Sequence, residues 1–331
     1  MQTRNAFVFA CLIAIACGGG KQPEAQVASG NEPTADAAEV PVRIGYQKAG
    51  APFLLKSKDA RLKDALHAQG ARLEWLQFQA GPALLEAMRA GAVDVGYVGE
   101  TPPVFAQAGG VPFVYVATDP PSPRSEAILV PAKSPIQELS QLRGKKIALN
   151  RGSNVHYLLL RALDSAGLAL SDVEVTYLAP ADARTAFDSG NVDAWVIWDP
   201  FFAAAELAGA RVLKDGENLV DNHQFYVARK EFAGDHAPLV KTVLDAFSEL
   251  SEWAVRNPEE AAKLTAESSG VAYEALLATE RRHTYGLRPI TPEILKKQQT
   301  IADAFLKVQV VPQAIDTNAA YLAKAGFTGR K

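Results

Sequence analysis

Two stretches of this chain superpose on each other. EWLQFQAGPALLEAMRAGAVDVGYV, which begins at Glu74, overlies VEVTYLAPADARTAFDSGNVDAWVI, which begins at Val173, at an offset of 99 positions. Ala87, Gly91, Val93 and Asp94 then fall on Ala186, Gly190, Val192 and Asp193. Each copy reads as strand, helix, glycine turn, strand. In the first copy Pro82 stands near the helix start and Gly91 just past its end, the usual asymmetry of helix termini. The glycine turns after VRIGY and after KKIALN correspond too, at a slightly larger offset. A repeat of this unit predicts two lobes of like α/β topology, each on a mainly parallel sheet.

The segments between and after the copies suggest how the lobes join. PFVYVATDPPSPRSEAILVPAKSP and NHQFYVARKEF are extended, β-branched or aromatic, and flanked by polar residues and proline. They are expected to carry the two crossings. The tail, with APLVKTVLDAFSELSEWAVRN, PEEAAKLTAES, AYEALLATERRH and TPEILKKQQTIADAFLKVQVV, repeats apolar residues at spacings of three and four and is expected to be helical. The expected division is 42–130 with 232–331 for lobe 1 and 131–231 for lobe 2, with most of the tail on lobe 1. Two lobes joined by two strands form a cleft that closes by hinge motion.

The first residues belong to another design. Arg4 and the apolar run AFVFACLIAIA form a short export signal over 1–16, too short to span a bilayer. AIAC then places small residues before Cys17, as in bacterial lipoprotein signals, and Cys17 is expected to be the lipidated first residue of the mature chain. A plain secretory signal cut nearby is the alternative. Cleavage there leaves at most one cysteine, so no intrachain disulfide is expected. Residues 17–41, rich in Gly, Ala, Pro and Glu, read as a flexible tether. The picture is an exported globular body, free or anchored on the outer face of the cell membrane.

Composition narrows the function. The net charge is -3 with no basic block, which argues against nucleic acid as a partner. G-x-S-x-G, G-x-G-x-x-G, Walker and H-E-x-x-H motifs are all missing. The five histidines lack metal-ligand spacing, and the two methionines offer no thioether cluster. No cofactor or metal is expected.

Ligands in open α/β sheets sit beyond the carboxyl ends of the strands. Here those ends are YQKAG (46–50), GETPP (99–103), NRGSN (150–154) and IWDP (197–200). In RGSN, Gly152 lets the backbone approach a ligand, Ser153 or Asn154 can cap the helix, and His156 adds a donor on its first turn. Such a turn either caps its own helix or holds an anion at the positive end of the dipole. The matching turn at YQKAG favours the anion, if both open on one cleft. Trp195 reads as core and Trp198 as cleft wall. Asp199 and Glu100 either meet a ligand or lock their own loops. Arg281 or Arg282 either reaches the cleft or ends a solvated helix.

VRIGYQKAG, QAGPALLEAMRAGAVDVGYVGETPPVFAQAGG, RGSNVHYLLLRAL, PADARTAFDSGNVDAWVIWDP, RVLKDGENL and QFYVARKEF occur in that order over residues 42–232. This set resembles the aliphatic sulfonate-binding proteins of bacterial ABC importers, in the sulfonate, taurine and nitrate group of periplasmic binding proteins. The resemblance implies a two-lobed type II fold, a ligand in the cleft, and delivery to a membrane permease with its ATPase by a monomer. It implies ligand contacts at Gln47, Ser153, Asn154, His156, Trp198 and Asp199; the strand ends add Lys48, Thr101 and Gly152 as candidates, with Tyr97, Glu100 and Arg282 as further members. Relatives often carry an apolar residue at Thr101 and Ser at Asn154. A sulfonate is a permanent monoanion with three acceptor oxygens, so it requires donors only; Trp198, Tyr97 and Phe201 would face its tail. A quaternary ammonium in an aromatic cage is a second reading. An enzyme using His156 and Asp199 as an acid–base pair is a third.

Overall fold

The computed structural model describes residues 39–322 and 325–329. The signal, Cys17 and nearly all of the tether lie outside them. The first half runs β1 (Val40–Tyr46), α1 (Gly50–Lys56), α2 (Ala60–His67), β2 (Ala71–Gln77), α3 (Gly81–Arg89), β3 (Val95–Gly99), α4 (Thr101–Ala108) and β4 (Phe113–Thr118). β1 thus begins two residues inside the stretch assigned to the tether.

The chain then crosses to a second set: β5 (Glu126–Val130), β6 (Lys146–Leu149), α5 (Asn154–Ser165), β7 (Glu174–Tyr177), α6 (Pro180–Asp188), β8 (Ala194–Trp198), α7 (Phe201–Leu207) and β9 (Arg211–Asp215). It returns through β10 (Gln224–Arg229) and ends in α8 (Lys230–Asp235), α9 (Ala237–Arg256), α10 (Pro258–Ser269), α11 (Tyr273–Arg282) and α12 (Pro292–Lys307).

The strands form two five-stranded sheets, β2-β1-β3-β10-β4 and β7-β6-β8-β5-β9. The orders are equivalent: β1, β2 and β3 correspond to β6, β7 and β8 and pair in parallel. The fourth strand of each sheet is antiparallel and comes from the other end of its lobe's sequence: β10 in the first, β5 in the second. This exchange places the crossings at 119–125 and 216–223, before both expected boundaries. β5 belongs with the second sheet and β10 with the first, because each completes a ladder there.

The repeat has a physical basis. Gly91 and Gly190 close their helices at φ +73° and +74°, a left-handed conformation that glycine adopts freely. Asp94 accepts from the Arg43 N–H in the middle of β1, and its copy Asp193 accepts from the Lys146 N–H at the start of β6. Each aspartate pins the central strand. Asp94 is wholly buried and also takes the guanidinium groups of Arg43 and Arg229.

The tail divides between the lobes. α9 packs Val240, Val243, Leu244 and Phe247 into the core of the first sheet. Ile301, Ala302 and Phe305 of α12 join the core under α5 instead, with Val104 of α4. Trp195, which has no exposure, is core of the second lobe as expected.

Candidate functional site

The carboxyl ends of the two sets of parallel strands open on one cavity. Gln47, Tyr97 and Gly99 line it from the first lobe, and Ser153, Asn154, Trp198 and Asp199 from the second. Its volume is about 60 Å³. That is room for about four or five water-sized groups.

Glycines bring backbone to this space. Gly50, at φ +74°, starts α1 against the Tyr97 ring, where a Cβ would lie 2.4 Å from ring carbon. Gly81 starts α3 against Pro102. A Cβ on Gly99 would lie 2.0 Å from the Asn154 side chain of the opposite lobe. The starts of α1, α3 and α5 therefore all meet the cavity, and no side chain caps any of them. The first-turn N–H groups of a helix have no helical acceptor and carry its positive pole.

Amide side chains complete the lining. Gln47 Nε2 donates to the Tyr97 carbonyl at 3.2 Å. Asn154 Oδ1 accepts from the Thr101 N–H at 3.3 Å, and its Nδ2 donates to Asn222 Oδ1. Asn222 donates in turn to the Ser122 carbonyl and Ser125 Oγ, both at 3.0 Å. This chain ties α5 to the first lobe and to both crossings. The Ser153 hydroxyl donates to the Asn150 carbonyl at 2.7 Å, so an incoming anion would meet it by rotation about Cβ–Oγ.

Among the described residues, no lysine or arginine lines the cavity. Asp199 is the one carboxylate among the described residues that line it. Burial pushes Asp199 up to about 7, against the pull of the Arg282 guanidinium at 3.2 Å and the Ala203 N–H at 3.0 Å. Asp199 thus locks its own loop, one of the two roles the sequence left open. The cavity offers dipoles and neutral donors to an anion, with an apolar wall from Trp198, Tyr97 and Pro102.

Several expected residues lie elsewhere. His156 is fully buried against Phe105, Phe305 and Tyr177. Burial lowers it to about 4, and its Nδ1 accepts from the Gly152 N–H at 3.3 Å. His156 is therefore a neutral brace for its own turn, and the Gly152 N–H is already engaged. Gly152 packs on the Phe105 ring and does not face the cavity.

Lys48 donates to the Ser269 carbonyl at 2.8 Å in a neighbouring hollow. Thr101 is buried behind Asn154. Glu100 accepts from the His223 N–H at 2.9 Å, and burial raises it to about 8. Arg282 pairs with Asp199 and Glu206 and lies 4.0 Å over the Phe202 ring. Phe201 stands against Trp198 outside the cavity.

Other residues that line it gave no sequence signal. Asn222 and Gln224 lie in and beyond the second crossing, and Thr279 and His283 on and just after α11. Their approach depends on the exchange of β5 and β10 and on the path of the tail.

A family model described as NMT1/THI5 like matches residues 66–261, more than half of the chain. An aliphatic sulfonates-binding protein of Escherichia coli (strain K12) is 41% identical over 83% of this chain and 86% of its own length. The chain belongs to the NMT1/THI5-like family, among its aliphatic sulfonates-binding members.

A second sulfonates-binding member, from Bacillus subtilis (strain 168), is 31% identical over 83% of each chain. The solved alkanesulfonate-binding protein of Xanthomonas axonopodis pv. citri, bound to MOPS, superposes with a TM-score of 0.81 at 37% identity. It covers 86% of this chain and 99% of that one. The periplasmic aliphatic sulphonate binding protein of Escherichia coli gives 0.78 at 39%, covering 88% and 94%. A desulfurization enzyme, at 18% identity and a TM-score of 0.62, shares the fold. The two-lobed binding-protein fold of the sulfonates-binding family thus carries the cavity described above.

Proposed function

We propose that this chain is the extracytoplasmic solute-binding component of an ABC importer, closing its lobes around an aliphatic sulfonate. One observation carries the reading. The starts of α1, α3 and α5 converge on a single small cavity with amide side chains and, among the described residues, no lysine or arginine in its lining. A strong-acid head group with three acceptor oxygens suits such a lining, because it needs donors and carries no proton to share. The names of the relatives point the same way. The ligand contacts are assigned to Gln47, Ser153, Asn154 and the first-turn N–H groups, with Trp198 and Tyr97 beside the first carbons of the tail.

The role assigned is binding without turnover. His156 is turned into the core and Asp199 is held by Arg282, so these two do not form an acid–base pair at the cavity. The partners assigned are a permease and its ATPase, with the protein acting as a monomer. The apolar leader and Cys17 are assigned to export and lipid anchoring at the outer face of the membrane.

Calorimetric titration tests the assignment. Ethanesulfonate should bind, and nitrate and betaine should bind far more weakly. Saturable binding of betaine without sulfonate binding overturns the reading in favour of an aromatic cage. Loss of Cys17→Ser from the membrane fraction, with wild type retained there, tests the anchor.

A further inference from the structure

An imidazole lines the cavity beside Tyr97. His283 follows α11, and its N–H donates to the Thr279 carbonyl at 3.0 Å. Behind the ring stands Asp119, at the start of the first crossing and without exposure. His283 Nε2 lies 3.3 Å from the Tyr97 hydroxyl and 3.7 Å from Asp119 Oδ2. The ring also packs edge to face on Tyr285 at 4.3 Å.

These contacts fix which nitrogen carries the proton. The Tyr97 hydroxyl donates its single hydrogen to Asp119 Oδ2 at 3.1 Å. Burial, and then the Asp119 charge, hold that hydroxyl well above its usual range, so it keeps the hydrogen. Toward His283 the Tyr97 oxygen can therefore only accept, and Nε2 must donate. Nδ1 of the neutral ring is then a lone pair, with no partner among the described residues. A sulfonate offers acceptors alone, so it meets a lone pair there unless the ring takes a second proton.

We infer that His283 is a proton-coupled contact for the bound anion: closure around a sulfonate draws one proton from solvent onto Nδ1, and the imidazolium donates to the head group with Asp119 behind it. The inference rests on the head-group assignment above and adds control by pH. The ligand brings no proton, and His283 is the one described lining side chain able to turn cationic. In a space of about 60 Å³ the head group lies within reach of the ring. The charged and titratable neighbours set the balance. Asp119, which also accepts from Tyr226, favours the imidazolium. Glu280 of α11 is held by the Tyr285 hydroxyl at 2.8 Å and is raised by burial. Arg282 is paired with Asp199 and Glu206, so its charge is already met. Opening of the lobes returns the proton to water together with the cargo.

Calorimetric titration of the full chain with ethanesulfonate, in buffers of differing ionisation heat at one pH, counts the protons taken up. The wild type should take up protons on binding, and its affinity should rise by up to about tenfold for each unit of falling pH between about 8 and about 6. His283→Gln keeps a donor but cannot titrate, so uptake should vanish and affinity should cease to follow pH. Nitrogen-15 spectra of histidine-labelled wild type give a readout independent of the variant: one Nδ1 signal should move to the protonated position when ethanesulfonate is added. Binding without proton uptake, or with that signal unmoved, overturns the coupling alone. Uptake that persists in His283→Gln places the proton on Asp199, which burial raises to about 7, and overturns it too. Failure of ethanesulfonate to bind the wild type overturns the head-group assignment, and the coupling with it.

Discussion

Asn154 of the second lobe accepts the N–H of Thr101 in the first, at 3.3 Å, through the space that a side chain on residue 99 would fill. Closure of the cleft is thus written into one glycine and one amide. Gly99→Ala should push Asn154 aside. The expected result is a loss of sulfonate affinity by about ten- to a hundredfold, from misplacement of the α5 start. Small-angle scattering of the liganded variant should show a more open shape than wild type. Unchanged affinity and shape would refute the closing role.

Gln47 is a neutral donor in a space without a fixed cation. Gln47→Glu replaces donor N–H groups with a charge of the ligand's own sign. Binding should fall by at least about 2 kcal/mol, the scale of a lost hydrogen bond to a charged group. Gln47→Leu should cost less, because it removes the donor without adding repulsion. Calorimetry on the pair checks the order.

The aspartates of the repeat should differ in weight. Asp94 is buried and holds two arginines, so Asp94→Ala strands those charges and should cost about 3–5 kcal/mol in urea unfolding. Asp193 is partly exposed and its side chain accepts one main-chain N–H, so Asp193→Ala should cost about 1 kcal/mol. Equal losses would show that the copies carry equal load.

Two buried glutamates should make stability decline as pH rises from about 4.3 through neutrality. Burial raises Glu100 to about 8, with Asp221 adding to the rise and the His223 N–H and Lys297 opposing it. Buried Glu126 is raised in the same direction, by burial and by Glu100. Unfolded glutamates titrate near about 4.3, so the folded state holds more protons between there and about 8, and stability falls as pH rises through that window. His156 acts oppositely: lowered to about 4, it withdraws stability as pH falls below about 6.5. Glu100→Gln should flatten the decline in thermal melts between about pH 4.3 and about 8 and leave the profile above that window unchanged.

Much of this architecture is legible in the residues. Gly91 with Gly190 and Asp94 with Asp193 mark the repeat because each pair does the same backbone work in its lobe. The strand ends at Gln47, Ser153 and Trp198 were found because parallel topology fixes where they point. His156 departs from its expected place because position on a first turn does not say which way a ring points, and Phe105 and Phe305, distant in sequence, draw it inward. The expected lobe boundaries fall after the crossings because β5 and β10 carry no local mark of which sheet they complete. Asn222 and His283 arrive through that exchange and through the tail, so local pattern could not find them.

On the proposed assignment the cavity holds its ligand by peptide dipoles and amides, with no lysine or arginine among the described residues that line it. Such a grip is geometric: it is strong when several weak poles converge and vanishes when they part. Unloading then needs no proton, no competing ion and no rupture of a salt bridge. A few ångströms of hinge opening disperse the attraction, so the same motion that admits solvent also sets the cargo free.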